Sequence, residues 1–99
     1  MGGSFALGEP TPDPWRVGTP GLGVRIPWST PLGATGYKIF IFVAGTNQRV
    51  ADSALPENRN ACGMSYSFYP NVAGYYDAYL YQGNTGPVVA GPVRFRVIQ

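Results

Sequence analysis

Residues 37–43 read Tyr37-Lys38-Ile39-Phe40-Ile41-Phe42-Val43, and residues 75–81 read Tyr75-Tyr76-Asp77-Ala78-Tyr79-Leu80-Tyr81. Both runs are rich in the aromatic and β-branched side chains that fit a pleated, half-buried surface. Neither repeats its apolar residues at helical spacing, and both have the length of a strand. The first is the strongest strand candidate in the chain. It lacks clean apolar-polar alternation, which predicts cover on both of its faces. If Tyr37, Ile39, Ile41 and Val43 point to a core, Phe40 and Phe42 point away from it. In the second run, Tyr76, Ala78 and Leu80 inward leave Tyr75, Asp77, Tyr79 and Tyr81 outward.

Working outward from these runs, further strands appear. Val24, Ile26 and Trp28 alternate with Gly23, Arg25 and Pro27, which predicts a strand with one apolar face and, at Pro27, an edge position or bulge. Met64, Tyr66 and Phe68 alternate with Ser65, Ser67 and Tyr69. Gln48 to Ala51 is a weak strand. Val88 to Ala90 and Val93 to Ile98 flank a break at Gly91-Pro92. Turns are marked at 29–36, 44–47, 70–74 and 82–87, and a polar loop spans 52–63. No stretch is helical over three turns. The reading is an all-β chain of roughly six or seven short strands spaced about 10 residues apart, a small antiparallel β-sandwich.

Composition supports this class. Gly and Pro make up 24 of 99 residues, yet 44% of the chain is hydrophobic and 14% aromatic, too much for disorder. Residues 1–23 hold ten of those Gly and Pro. The alternation Pro10-Thr11-Pro12-Asp13-Pro14 favours an extended conformation and forbids a central strand. This predicts two parts: an extended N-terminal arm over 1–23, with a short edge strand around Trp15-Arg16-Val17, and a sandwich over 24–99. The arm is expected to lie against its own domain, a neighbouring subunit or a lattice. Residues 24–99 fall short of the roughly 100 typical of such sandwiches, so association with something else is a physical expectation.

The run Ala73-Gly74-Tyr75-Tyr76-Asp77-Ala78-Tyr79-Leu80-Tyr81, followed by Pro92-Val93-Arg94-Phe95-Arg96-Val97, resembles the last two strands of an immunoglobulin-like or fibronectin-III-like domain. The pattern is G-x-Y-x-A-x-L, a hairpin, then P-x-x-F-x-V. The resemblance covers about 25 residues well and another 50 loosely. It implies that Tyr76 is a tyrosine-corner residue whose hydroxyl meets backbone near Tyr69 to Val72. It also places Ala78 where antibody domains carry their second Cys, and matches Trp28 in type to the family's core tryptophan. An immunoglobulin-like sandwich hosts many unrelated roles, so the resemblance speaks to fold.

Several chemistries lack their residues. The chain has no His and a single Cys. The usual general base and zinc ligand are therefore missing, and Cys62 has neither an intrachain disulfide partner nor a His to activate it. The five acids Glu9, Asp13, Asp52, Glu57 and Asp77 form no recognisable dyad. A calcium site built from Asp52, Glu57 and Asn58 matches no known loop, so solvated loop acids are the simpler reading. The glycines form no phosphate-cradling motif. The reading is non-enzymatic, with no cofactor and no metal. The net charge of +2 comes from seven basic residues scattered along the sequence, which is no nucleic-acid footprint. Arg94 and Arg96 read as an edge-protecting charged face. No apolar run approaches a membrane helix, no Asn-x-Ser/Thr sequon occurs, and the start Met1-Gly2-Gly3-Ser4-Phe5-Ala6-Leu7 lacks the features of a signal peptide.

Aromatic residues carry the positive signal. In an immunoglobulin-like arrangement the strands bearing Phe40, Phe42, Tyr75, Tyr79 and Tyr81 are neighbours, and their outer faces form one patch. Such patches mark interfaces unless an arm or loop folds over them. Trp15 in the arm joins them as a partner-binding residue. A small sandwich with a Gly/Pro arm, a sticky face and no export signal resembles the decoration or accessory proteins of bacteriophage virions. That resemblance implies a structural protein made in a host cytoplasm, which binds a capsid or tail lattice as a homo- or hetero-oligomer. The alternative is a carbohydrate- or cell-surface-binding adhesion module, because aromatic faces also stack on sugar rings.

Overall fold

The computed structural model describes residues 4–31, 33–34, 36–53, 64–83 and 85–99. Most of the polar loop expected over 52–63, with Glu57, Asn58 and Cys62, lies outside the described residues. The described chain is all-β. Its strands are β1 (Ala6–Leu7), β2 (Trp15–Arg16), β3 (Val24–Ser29), β4 (Tyr37–Val43), β5 (Arg49–Asp52), β6 (Met64–Phe68), β7 (Gly74–Gln82) and β8 (Val88–Ile98). They form two sheets, of order β1-β3-β6 and β2-β8-β7-β4-β5. The larger sheet curls as a half-barrel.

Alternation explains the core. Val24, Ile26 and Trp28 of β3 and Phe68 of β6 meet Ile39 and Ile41 of β4, Tyr76, Ala78 and Leu80 of β7, and Phe95 and Val97 of β8 in one buried cluster. β4 and β7 are antiparallel with Ile39 opposite Leu80 and Ile41 opposite Ala78, so both strands turn the same parity inward. Burial of each large aliphatic or aromatic side chain contributes about 1.5–3 kcal/mol.

The Gly/Pro-rich N-terminal stretch runs along the edges of both sheets. β1 pairs antiparallel with β3, Thr11 bridges Arg25, and β2 pairs parallel with the end of β8. The stretch thus passes from one sheet to the other and carries Trp15 into the core at 3% exposure. The expectation that Trp15 meets a partner is corrected by this: its ring is spent on the chain's own interior.

Proline chemistry accounts for two irregularities. β3 lies between β1 and β6, so Pro27 occupies a central strand rather than an edge. The Pro27 carbonyl accepts a hydrogen bond from the Gly8 amide, and the next backbone bonds to β3 on this side are those of Thr11 with Arg25. The donor that Pro27 lacks therefore faces the gap between those two contacts. In β8 the expected break at Gly91-Pro92 is a register shift within one continuous strand. Gly91 has φ +100°, and a Cβ there would lie 2.6 Å from the Ala78 carbonyl oxygen, so only glycine fits.

Tyr76 is buried, and its hydroxyl donates to the Val72 carbonyl, the backbone region the sequence pointed to. Burial raises its pKa above the ordinary phenol value. The Phe68 ring stands edge-on to Tyr76 at 5.3 Å, and Phe95 stacks on Tyr76 at 5.8 Å. The corner between β6 and β7 is thereby fixed by one hydrogen bond and three rings.

Candidate protein-binding face

The residues of β4 and β7 that alternate with the core positions share the other face of the large sheet. Phe40 lies opposite Tyr79, Phe42 opposite Asp77, and Lys38 opposite Tyr81. Four aromatic rings gather there. Phe40 and Tyr81 are 4.5 Å apart at 51°, Phe42 meets Tyr79 edge-on at 5.4 Å and 80°, and Tyr79 meets Tyr81 edge-on at 6.2 Å. Edge-to-face contacts at these distances are the favoured arrangement of aromatic quadrupoles.

The five aromatics expected on this face differ in what they offer. Phe40 is only 1% exposed. Its ring lies under the Arg49 guanidinium at 4.5 Å and near the Lys38 ammonium at 5.2 Å, both cation–π contacts. Phe40 is therefore the floor of the cluster, which corrects the expectation that it meets a partner directly. Phe42, Tyr79 and Tyr81 are half-buried. Tyr75 is 53% exposed and lies opposite Arg96, on the same face of β7 as Tyr79. The surface that remains is three half-open rings continued by one open one.

Ionic contacts tie the strands of this face together. Asp77 is buried, and Arg94 across the β7–β8 pair grips it with two bonds, Nε to Oδ1 at 2.8 Å and Nη2 to Oδ2 at 3.1 Å. The Gly45 amide donates to the same carboxylate at 3.3 Å, tying in the turn after β4. The Arg94 hydrogen bonds are the main force holding the Asp77 carboxyl below its ordinary pKa; burial opposes them, and the Gly45 amide and the Arg94 charge add to them. On the other side of the cluster, Lys38 Nζ lies 3.4 Å from Asp52 Oδ1.

Sequence reasoning read Arg94 and Arg96 as an edge-protecting face, but β8 lies between β2 and β7. That reading also missed the cations that join them. Arg16, Arg49 and the pair Arg94 and Arg96 are far apart in sequence, yet the strand order brings them to one sheet face. Arg16 pairs beside Ile98 on β2, Arg94 and Arg96 alternate with the buried Phe95 and Val97 on β8, and Arg49 pairs with Phe42 on β5. The alternation of Arg94 and Arg96 with Phe95 and Val97 was the available signal. A separate cleft of about 270 Å³ lies between the β4–β5 and β6–β7 turns and is lined by Val43, Val50, Phe68, Tyr69, Val72 and their neighbours. Among the described residues no three His, Cys, Asp or Glu side chains cluster to hold a metal, and no helix is long and apolar enough to cross a membrane.

No family model, curated protein or solved structure matches this chain.

Proposed function

We propose that the chain is a non-enzymatic assembly module, an immunoglobulin-like β-sandwich that binds another protein through the outer face of its five-stranded sheet. Two features support the fold reading: the strand order, with a first edge strand divided between the two sheets, and the Tyr76 hydroxyl bond at the β6–β7 corner. The observation that carries the binding reading is the aromatic group Phe42, Tyr79, Tyr81 and Tyr75, partly open on a sheet face whose strands β7 and β8 are cross-linked by the Asp77–Arg94 pair. Rigid aromatic side chains cover area at low entropic cost and are the common anchors of interfaces.

The setting we propose is a decoration or accessory protein of a bacteriophage virion, made in the host cytoplasm and bound to a capsid or tail lattice. The chain is small and has few charges, and its N-terminal stretch is spent on closing its own two sheets, while the aromatic sheet face stays open for association. The test is incorporation into particles. Phe42→Ala or Tyr79→Ala should weaken it by about 2 kcal/mol or more each. Loss of retention on a polysaccharide instead would move the chain to the carbohydrate-binding class. Unchanged association in both assays would remove the face from consideration.

A further inference from the structure

The outer sheet face is aromatic in the middle and cationic at both edges. Five of the chain's seven Lys and Arg residues stand on it: Arg16, Lys38, Arg49, Arg94 and Arg96. Its acids are engaged within the chain. Asp77 is held by Arg94, Asp52 by Lys38, and Asp13 accepts a hydrogen bond from the Arg96 backbone amide at 3.0 Å. Arg16 also donates to the Gln99 carbonyl. Arg16, Arg49 and Arg96 are exposed, and none of the three is ion-paired among the described residues. Arg96 and Arg16 lie toward the β8–β2 edge, Arg49 lies on the β5 edge, and Phe42, Tyr79 and Tyr81 lie between them.

We propose that this face takes a protein partner of a different chain, one that presents carboxylates around an apolar or aromatic anchor. The inference rests on the binding reading above and adds the chemistry of the partner. Charge complementarity decides it. Two copies of the chain joined through this face with their strands aligned would oppose arginine rim to arginine rim, a like-charge juxtaposition that disfavours self-pairing. An acidic partner instead meets a guanidinium on either side of its anchor, and guanidinium groups bind carboxylates with two parallel hydrogen bonds. Nucleic acid is the weaker fit. Phe42, Tyr79 and Tyr81 pack against one another, two pairs edge-on and Phe42–Tyr81 stacked, and are half-buried, which leaves Tyr75 as the one open ring for a base to stack on.

The probe is a random Glu/Tyr copolymer immobilised at low salt, compared with a Lys/Tyr copolymer and oligothymidylate, with the full chain as analyte. Retention on the Glu/Tyr copolymer alone is expected, weakening as salt rises. Arg96→Gln should lower that affinity about five-fold, the scale of one exposed ion pair. Asn71→Asp changes the net charge by the same amount, away from this face, and should change affinity by less than about two-fold. Equal losses from the two variants, or equal retention on oligothymidylate, overturn the proposal. So does a dimer of the isolated chain, seen by light scattering, that Phe42→Ala dissociates. Phe42→Ala also separates the two readings: if it lowers partner binding while Arg96→Gln does not, the face remains the interface and the acidic partner is wrong. If neither lowers binding, both fall.

Discussion

The two faces of the large sheet are built from the same strands and differ in every other respect. Inward, β4 and β7 present Ile39, Ile41, Ala78 and Leu80, all without solvent exposure and all free of polar side-chain atoms. Outward, the alternate positions present Lys38, Phe40, Phe42, Asp77, Tyr79 and Tyr81, a mixture of rings and charges. The inner face is bound mainly by dispersion and the hydrophobic effect, which are non-directional, with the Tyr76 hydroxyl bond as its directed contact. The outer face depends on directed contacts: edge-on rings, cations over Phe40 and the bidentate grip on Asp77. A face of the first kind fixes a fold. One of the second kind keeps its geometry while leaving area for a partner.

The sharpest way to break this comparison is to truncate one ring on each side. Trp15→Ala removes an inner ring and should cost about 3–5 kcal/mol, because a large cavity opens in a tightly packed core. Phe42→Ala removes a half-buried outer ring and should cost less than half of that. Urea unfolding of the two variants reads the difference. A Phe42→Ala cost equal to that of Trp15→Ala would make the outer face a second core layer. The same measurement bears on the N-terminal stretch, since Trp15 lies in it: deleting residues 1–17 should lower stability at least as much as Trp15→Ala.

Next in size is Asp77→Asn, expected to cost about 2 kcal/mol at neutral pH. Hydrogen bonds to a charged group contribute about 1.5–3 kcal/mol, and the exposure of Arg94 lowers that figure. The pH dependence has a definite sign. The carboxyl is held below its unfolded value, so its contribution is fully present above about pH 4 and is lost as pH falls through the lower folded value. The gap between the wild-type chain and Asp77→Asn should therefore close in acid. A gap that widened in acid would mean the carboxylate is not stabilised by Arg94.

How much of this was legible in the sequence follows from the range of each contact. Tyr76 was found because its partner, Val72, is four residues away and the motif is local. The inward parity of β4 and β7 was readable because alternation is a local property of a strand. Trp15 was not, since β2 is two residues long and pairs with the far end of the chain, a contact that no local pattern announces. Phe40 shows the same limit within one strand: alternation placed it on the outer face, but its burial depends on Arg49 from another strand. The arginine rim was hidden for the same reason. Residues scattered along the sequence become neighbours only once the strand order is known.

Two hydroxyls on the inner side give the smallest and most discriminating effects, of opposite sign. Tyr76→Phe removes a hydroxyl that is bonded to the Val72 carbonyl, and should cost about 1 kcal/mol, the usual net value of one hydrogen bond. Thr30, just after β3, is fully buried, and its hydroxyl has no hydrogen-bond partner among the described residues. A buried hydroxyl without a protein partner is a cost in the folded state rather than a contribution. Valine has nearly the same shape and leaves no such atom behind. Thr30→Val should therefore hold or raise stability, by up to about 1 kcal/mol, with an unchanged dependence on urea concentration. A loss of about 1 kcal/mol or more would show that the Thr30 hydroxyl is bonded in solution. The inner side would then hold a second directed contact, and the contrast between the two faces of the fold would be one of degree.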